Sequence, residues 1–250
     1  MRIKYIIPFA LATEDIARRA EQVVESALAP ETSVECVSVR NHPTTLRSHY
    51  HEAIVEMYVA EAGLRAEAEG FDAVVMDTVS DSGLAVLRSR LSIPVVGPGM
   101  VSYAVANLVG KRFSILAYLE EHRFFYEKTL AAYGCAGRCA SIRVAGMEPN
   151  YAALFGDEPE AEFMKLAAAA EAAIHEDGAD TVVLGSTTMH QAGVYLSDRL
   201  AAPVINPGPI ALKVAEAFVQ LGLSHSKIAY RSPDELEDEK WFSLSGRDDS

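Results

Sequence analysis

The chain has 250 residues, 50% of them hydrophobic and 23% charged, with a formal net charge of −13 at pH 7, so it can bury a core as one large domain or two small ones. Its acidity excludes a general nucleic-acid binder, which needs a basic face, and no apolar stretch is long enough to span a bilayer. Three cysteines (Cys36, Cys135 and Cys139) are too few for a disulfide framework in a chain this size, and a reducing cytoplasm is the expected setting.

The first ten residues, MRIKYIIPFA, lack the apolar length and cleavage site of a signal peptide, and Pro8 interrupts them. Apolar, β-rich runs then alternate with helical patterns. A strand over residues 3–7 precedes a helix over 14–28, and a strand over 34–39 precedes a helix over 50–69. Strands at 73–76 and 94–96 lead to a helix over 101–108. A strand at 113–116 is followed by a helix over 121–133, and one at 141–144 by a helix over 160–176. The series ends with a strand at 181–184, a helix over 191–200, a strand at 203–205 and a helix over 210–221. Such alternation predicts an α/β fold of parallel strands with crossover helices on both faces. The tail, SPDELEDEKWFSLSGRDDS, is acidic and polar, and Trp241 and Phe242 are the residues that pin it to the body.

An internal repeat carries the most information. GFDAVVMDTVSDSGLAVLRSRLSIPVVGPG, residues 70–99, aligns with GADTVVLGSTTMHQAGVYLSDRLAAPVINPGP, residues 178–209. Gly70 pairs with Gly178, Asp72 with Asp180, and Val74-Val75 with Val182-Val183. After one inserted residue, Pro94 pairs with Pro203 and Pro98-Gly99 with Pro207-Gly208. Two copies are too few for a solenoid and indicate a duplicated α/β unit with approximate two-fold symmetry. We divide the chain into a first half of residues 1–104 plus 210–232, a second half of 105–209, and a tail of 233–250.

The repeat puts two polar loops in equivalent places after apolar strands: Asp77-Thr78-Val79-Ser80 and Gly185-Ser186-Thr187-Thr188. Ligands of open α/β sheets bind outside the carboxyl ends of the strands. Thr78 and Ser186 are therefore expected to face a shared cleft from opposite sides. Both also suit helix N-caps, and the two roles are compatible because a helix N-terminus attracts anions.

At these residues the sequence resembles the aspartate/glutamate racemase superfamily, within it the hydantoin and allantoin racemase branch. EAEGFDAVVMDTVSDSGL, IPVVGPG, GKRFSIL and DGADTVVLGSTTM followed by PVINPG carry the resemblance, which runs from about Arg2 to Lys227. It implies two pseudo-symmetric flavodoxin-like halves, a cleft between them, and neither cofactor nor metal. Family racemases carry one cysteine in each loop, in patterns like A-C-F-x-D-P-G-L and L-G-C-A-G-M. One thiolate removes the α-proton and the opposite thiol returns it. Here Thr78 and Ser186 hold those positions, and the family's N-P-N loop reads Ile7-Pro8-Phe9. A thiol is readily tuned towards neutrality, whereas an alcohol needs an adjacent base. Two-cysteine racemisation is therefore not expected.

The resemblance implies a small-molecule substrate with a carboxylate or cyclic amide, and a catalytic set of Thr78, Ser186, Tyr118 and His190. Pro8, Phe9, His49, Asp77, Val79, Ser80, Thr187 and Thr188 form the expected substrate-binding set. Arylmalonate decarboxylases of the superfamily cradle a carboxylate with hydroxyls. Tyr118 supplies a phenolic donor to such a cradle, or is an ordinary buried tyrosine. Candidate bases are His190, His49, His51 and Asp77. The run Ser48-His49-Tyr50-His51-Glu52 reads equally as a solvated helix start, and its histidines lack the i, i+4 spacing of a metal pair. Three functions stay open. One is a cofactor-independent isomerase, decarboxylase or other lyase with non-cysteine groups. The second is a hydrolase with Ser186 or Thr78 as nucleophile, though no G-x-S-x-G elbow is present. The third is a binding protein that lost its chemistry. A homo-oligomer is expected on general grounds.

Overall fold

The structure, a computed structural model, describes residues 1–24, 28–148 and 160–242. Strands β1 (Arg2–Ile7), β2 (Ser33–Ser38), β3 (Ala73–Met76) and β4 (Val95–Val96) form one parallel sheet in the order β2-β1-β3-β4. Strands β5 (Phe113–Ala117), β6 (Cys139–Val144), β7 (Thr181–Leu184) and β8 (Val204–Ile205) form a second in the order β6-β5-β7-β8. The sequence repeat is a structural repeat: Val74 pairs with Val95 as Val182 pairs with Val204.

Each sheet is covered on both faces, which is why the central strands β3 and β7 are buried throughout and almost wholly apolar. In β1, Ile3, Tyr5 and Ile7 face one layer and Ile6 the other; in β5, Phe113, Ile115 and Ala117 oppose Leu116. The covering helices are α1 (Thr13–Val24), α2 (His49–Gly63), α3 (Leu84–Arg90), α4 (Pro98–Val109), α5 (Arg123–Ala132), α6 (Glu160–His175), α7 (His190–Ser197) and α8 (Pro207–Gln220). Tyr103 and Ala106 of α4 pack with the second sheet, whereas Ala211, Leu212 and Ala215 of α8 return to the first. These two helices pack on each other and tie the lobes together.

The structure departs from the sequence reading in added helices and at several element boundaries. Helix α3 was not expected; it has only seven residues and too few turns for a clear helical period. Helix α2 stops at Gly63 instead of 69, where a Cβ on Gly63 would stand 2.7 Å from Leu87 of α3. Helices α4 and α8 start at Pro98 and Pro207, not at 101 and 210; proline suits the first helical position, where no N–H is needed. The tail forms a short helix α9 (Asp238–Phe242), and Phe242 packs against the first core. Residues 25–27 of the expected first helix, the Trp241 side chain and residues 243–250 lie outside the described residues. Among the described residues, no helix is long and apolar enough to cross a membrane.

Candidate functional site

Strand order changes direction between β1 and β3 in one sheet and between β5 and β7 in the other. In parallel sheets the crevice opens at such points, beyond the carboxyl ends of the strands. A cavity of about 150 Å³ lies there between the lobes. The first lobe lines it with Phe9 after β1, with Thr44, Thr45, Leu46 and Arg47 before α2, and with Asp77, Thr78, Val79 and Ser80 after β3. The second contributes Tyr118, His122, Phe125 and Tyr126 after β5, Glu148 after β6, and Gly185, Ser186, Thr187 and Thr188 after β7.

Each polar loop presents a row of hydroxyls. In the first, Thr78 Oγ1 is 2.8 Å from Ser80 Oγ, which is 2.8 Å from Ser82 Oγ. In the second, Ser186 Oγ is 2.8 Å from Thr188 Oγ1, which is 2.8 Å from the Tyr118 hydroxyl. Thr78 and Ser186 are half-buried, while Ser80, Ser82, Thr188 and Tyr118 are buried. The first row runs from the cavity wall inward to Ser82, whereas all three hydroxyls of the second stand on the wall. Hydroxyls in such a chain polarise one another and make better donors at the exposed end. Ser186 also caps the short turn Thr187–Met189 by accepting from the Thr188 N–H at 3.2 Å, so capping and cavity lining coexist.

A buried ion pair fixes the two loops against each other. Arg19 of α1 grips Asp77 with both ends of its guanidinium, Nε to Oδ2 at 2.9 Å and Nη2 to Oδ1 at 2.7 Å. Tyr5 donates to Asp77 Oδ1 at 2.6 Å. Thr187 Oγ1 crosses between the lobes to donate to the Asp77 carbonyl at 3.1 Å, and Arg19 Nη2 reaches the Thr187 carbonyl at 3.4 Å. Burial opposes the charge on Arg19, but adjacent Asp77 outweighs it and raises the guanidinium pKa. Burial, followed by Asp77, also raises the Tyr5 phenol. Asp77 therefore lines the cavity as a structural anion already engaged by three donors, not as a free base.

Two backbone approaches hold the loops close to their neighbours. A Cβ on Gly99 would meet the Val79 carbonyl at 2.2 Å, and one on Gly185 would meet the Leu116 carbonyl at 2.3 Å. Asp81 sits in the left-handed region at φ 53°, which aspartate tolerates better than most side chains. Its carboxylate caps α4, accepting from the Gly99 and Met100 N–H groups at 2.8 Å each, and takes the Tyr133 hydroxyl of the other lobe at 2.7 Å.

The remaining expected residues separate. Thr78, Ser186, Tyr118, Phe9, Asp77, Val79, Ser80, Thr187 and Thr188 line the cavity; His190, His49, His51 and Pro8 do not. His190 heads α7 and turns to Asn206, whose Nδ2 lies 3.0 Å from its Nδ1. It faces a separate small hollow beside Tyr5, Arg19 and Gln22. The His49 side chain is 79% exposed, 3.7 Å from Glu52, with its ring on Phe124. His51 Nδ1 accepts from the Arg47 N–H at 3.3 Å, so this run forms the start of α2. None of the three cysteines lines the cavity. Burial pushes the Cys36 thiol up to about 12 and the Cys139 thiol up to about 11, far from thiolate chemistry. Among the described residues, no group of three His, Cys, Asp or Glu side chains gathers as metal ligands would.

Sequence reasoning missed Arg47, Glu148 and His122. Arg47 and Glu148 meet as an ion pair across the lobes at the cavity wall. His122 ends the turn Glu120–His122 that follows β5. The strand-order rule was the available signal, since it nominates the loop after β5 as well as the loops after β3 and β7.

Comparison with known proteins agrees with this two-lobed α/β fold. The Asp/Glu/hydantoin racemase family model matches residues 5–215. A hydantoin racemase of Paenarthrobacter aurescens is 33% identical over 242 residues, covering 95% of this chain and 99% of the relative. The fold resembles the allantoin racemase of Klebsiella pneumoniae, with TM-score 0.83, 28% identity, and 94% and 95% of the two chains covered. It also resembles that of Pseudomonas fluorescens, with TM-score 0.85, 27% identity, and 95% and 99% covered. The chain belongs to the Asp/Glu/hydantoin racemase family.

Proposed function

We propose that this chain is a cofactor-independent enzyme acting at the carbon next to a carbonyl or carboxylate of a small compound, of the hydantoin, allantoin or arylmalonate type. The observation that carries this reading is the pair of hydroxyl rows, Thr78-Ser80-Ser82 and Ser186-Thr188-Tyr118, opening on one cavity. Removing a proton or carboxylate from such a carbon leaves negative charge on an adjacent oxygen. Preorganised donors in a partly dry site stabilise that charge in the transition state. The hydroxyls are suited to this electrostatic role and unsuited to the thiolate/thiol exchange of a two-cysteine racemase. The reaction is isomerisation, decarboxylation or another carbanion-forming step, in a homo-oligomer of the reducing cytoplasm.

A nucleophilic hydrolase is disfavoured. Among the described residues, the hydrogen-bond partners of Thr78 and Ser186 are hydroxyls and a backbone N–H, with neither imidazole nor carboxylate, and an alcohol nucleophile needs such a base. The test is proton NMR in deuterated buffer with a benzyl-substituted hydantoin, allantoin and phenylmalonate, each against a protein-free blank. Deuterium uptake or loss of carbon dioxide above the blank is expected for at least one. Binding of a probe with no turnover of any would replace the enzyme by a sensor.

A further inference from the structure

Isomerisation or exchange by the proposed enzyme needs a group that takes a proton from carbon near neutral pH and then gives one back, and decarboxylation needs the second of these steps. Hydroxyls cannot do this, and the thiols are elsewhere. Of the carboxylates among the described residues of the cavity wall, Asp77 is held by Arg19 and Tyr5, and Glu148 is paired with Arg47. Tyr126 donates to the Gly185 carbonyl at 2.9 Å, and burial raises its phenol pKa. Tyr118 ends the second hydroxyl row. Among the described lining residues that leaves His122, the one imidazole there.

His122 is half-buried, with its ring 6.0 Å from that of Phe125. It stands at the N-terminus of α5 but gives that helix no side-chain cap. Among the described residues its ring makes no hydrogen bond, so no structural duty occupies it. We infer that His122 is the acid–base residue of this cavity, taking the substrate's α-proton on a ring nitrogen and returning it. This assignment rests on the function proposed above.

The step balances without a co-reactant. The C–H bond breaks, and its electron pair moves into the carbonyl to give an enolate oxygen held by the hydroxyls. An N–H bond forms on the imidazole; the imidazolium exchanges that proton with solvent and then delivers a proton back to carbon. The charged groups facing the ring are Arg47 and Glu148 from either side of the cleft and Glu121 beside it. Burial, and then Arg47, hold its pKa below the ordinary 6.5, with Glu121 and Glu148 opposing. The ring is therefore neutral at pH 7 and able to accept a proton. Turnover falls as pH drops through that lowered value. A single carrier serves one face of the carbon, so isotope exchange outpaces inversion.

The experiment compares the intact chain with His122→Gln, and with His122→Ala with and without added imidazole, folding being checked by circular dichroism. The readouts are deuterium uptake, optical rotation and pH profile for the benzyl-substituted hydantoin, allantoin and phenylmalonate. His122→Gln is expected to slow exchange about 100-fold or more and to lose the acid limb. Imidazole is expected to restore part of the rate to His122→Ala, which also serves if the Gln variant does not fold. A variant that keeps the wild-type rate and acid limb overturns the assignment while leaving the proposed function standing, as does exchange matched one-for-one by inversion. No exchange of any probe and no loss of carbon dioxide by the unaltered chain overturns both.

Discussion

At the scale of single residues, the site separates groups that hold charge from groups that hold structure. Ser186 and Tyr118 end a row whose open side faces the cavity. Removing one donor to a developing oxyanion typically costs about 100-fold in turnover or more. Ser186→Ala and Tyr118→Phe should each show a loss of that size in the exchange rate of whichever probe reacts, with a much smaller change in its affinity by calorimetry. Asp77 belongs to the structural group. Its side chain is 0% exposed and that of Arg19 4%; deleting one partner of such a pair leaves a buried charge and costs about 3–5 kcal/mol. Urea unfolding of Asp77→Ala should show a stability loss of this order; a loss well under 1 kcal/mol would contradict the latch between the lobes. Thr78 and Ser186 were legible in the sequence because a repeat put them in register. His190 was misleading because nearness in sequence to Ser186 says nothing about direction. One short turn separates them, and the ring leaves towards Asn206. His122 and Arg47 carry no local pattern at all, and only the fold brings them to the wall.

At the scale of elements, the two copies of the repeat are alike in backbone and unlike in tightness. Gly99 in α4 faces the Val79 carbonyl at a Cβ distance of 2.2 Å, whereas Gly208 in α8 has only the Tyr5 hydroxyl, 3.5 Å away. Gly99→Ala should therefore cost about 1–3 kcal/mol through overpacking and displace the Val79 loop from the cavity. Gly208→Ala should be near neutral or slightly stabilising, by up to about 1 kcal/mol, since alanine favours the helix. Thermal unfolding of the pair checks the contrast, and equal effects would refute it. Most strands were legible because burial on both faces leaves a continuous apolar run. Helix starts were less so: Pro-Gly reads as a turn in sequence, yet here forms the first turn of α4 and α8. Seven-residue α3 was not legible, its inner face being set by Gly63 and Val59 of α2 rather than by its own periodicity.

At the scale of the whole molecule, duplication explains why the site lies where it does. Two sheets with the same strand order meet so that the loops beyond β1, β2, β3, β5, β6 and β7 converge on one cavity. The family architecture persists, with Thr78 and Ser186 at the positions where its resemblance to known racemases implies cysteines. The three thiols lie in the two sheets and the approach to β6, away from that cavity. The chemistry proposed for this cavity needs no thiol. Its most direct test is α-proton exchange in deuterated buffer by a Cys36→Ala/Cys135→Ala/Cys139→Ala chain, using the probe that the unaltered chain turns over best. The expected exchange rate is within about 3-fold of that of the unaltered chain, a change of roughly 0.7 kcal/mol in the barrier. Loss of exchange in a triple variant that remains folded would contradict it.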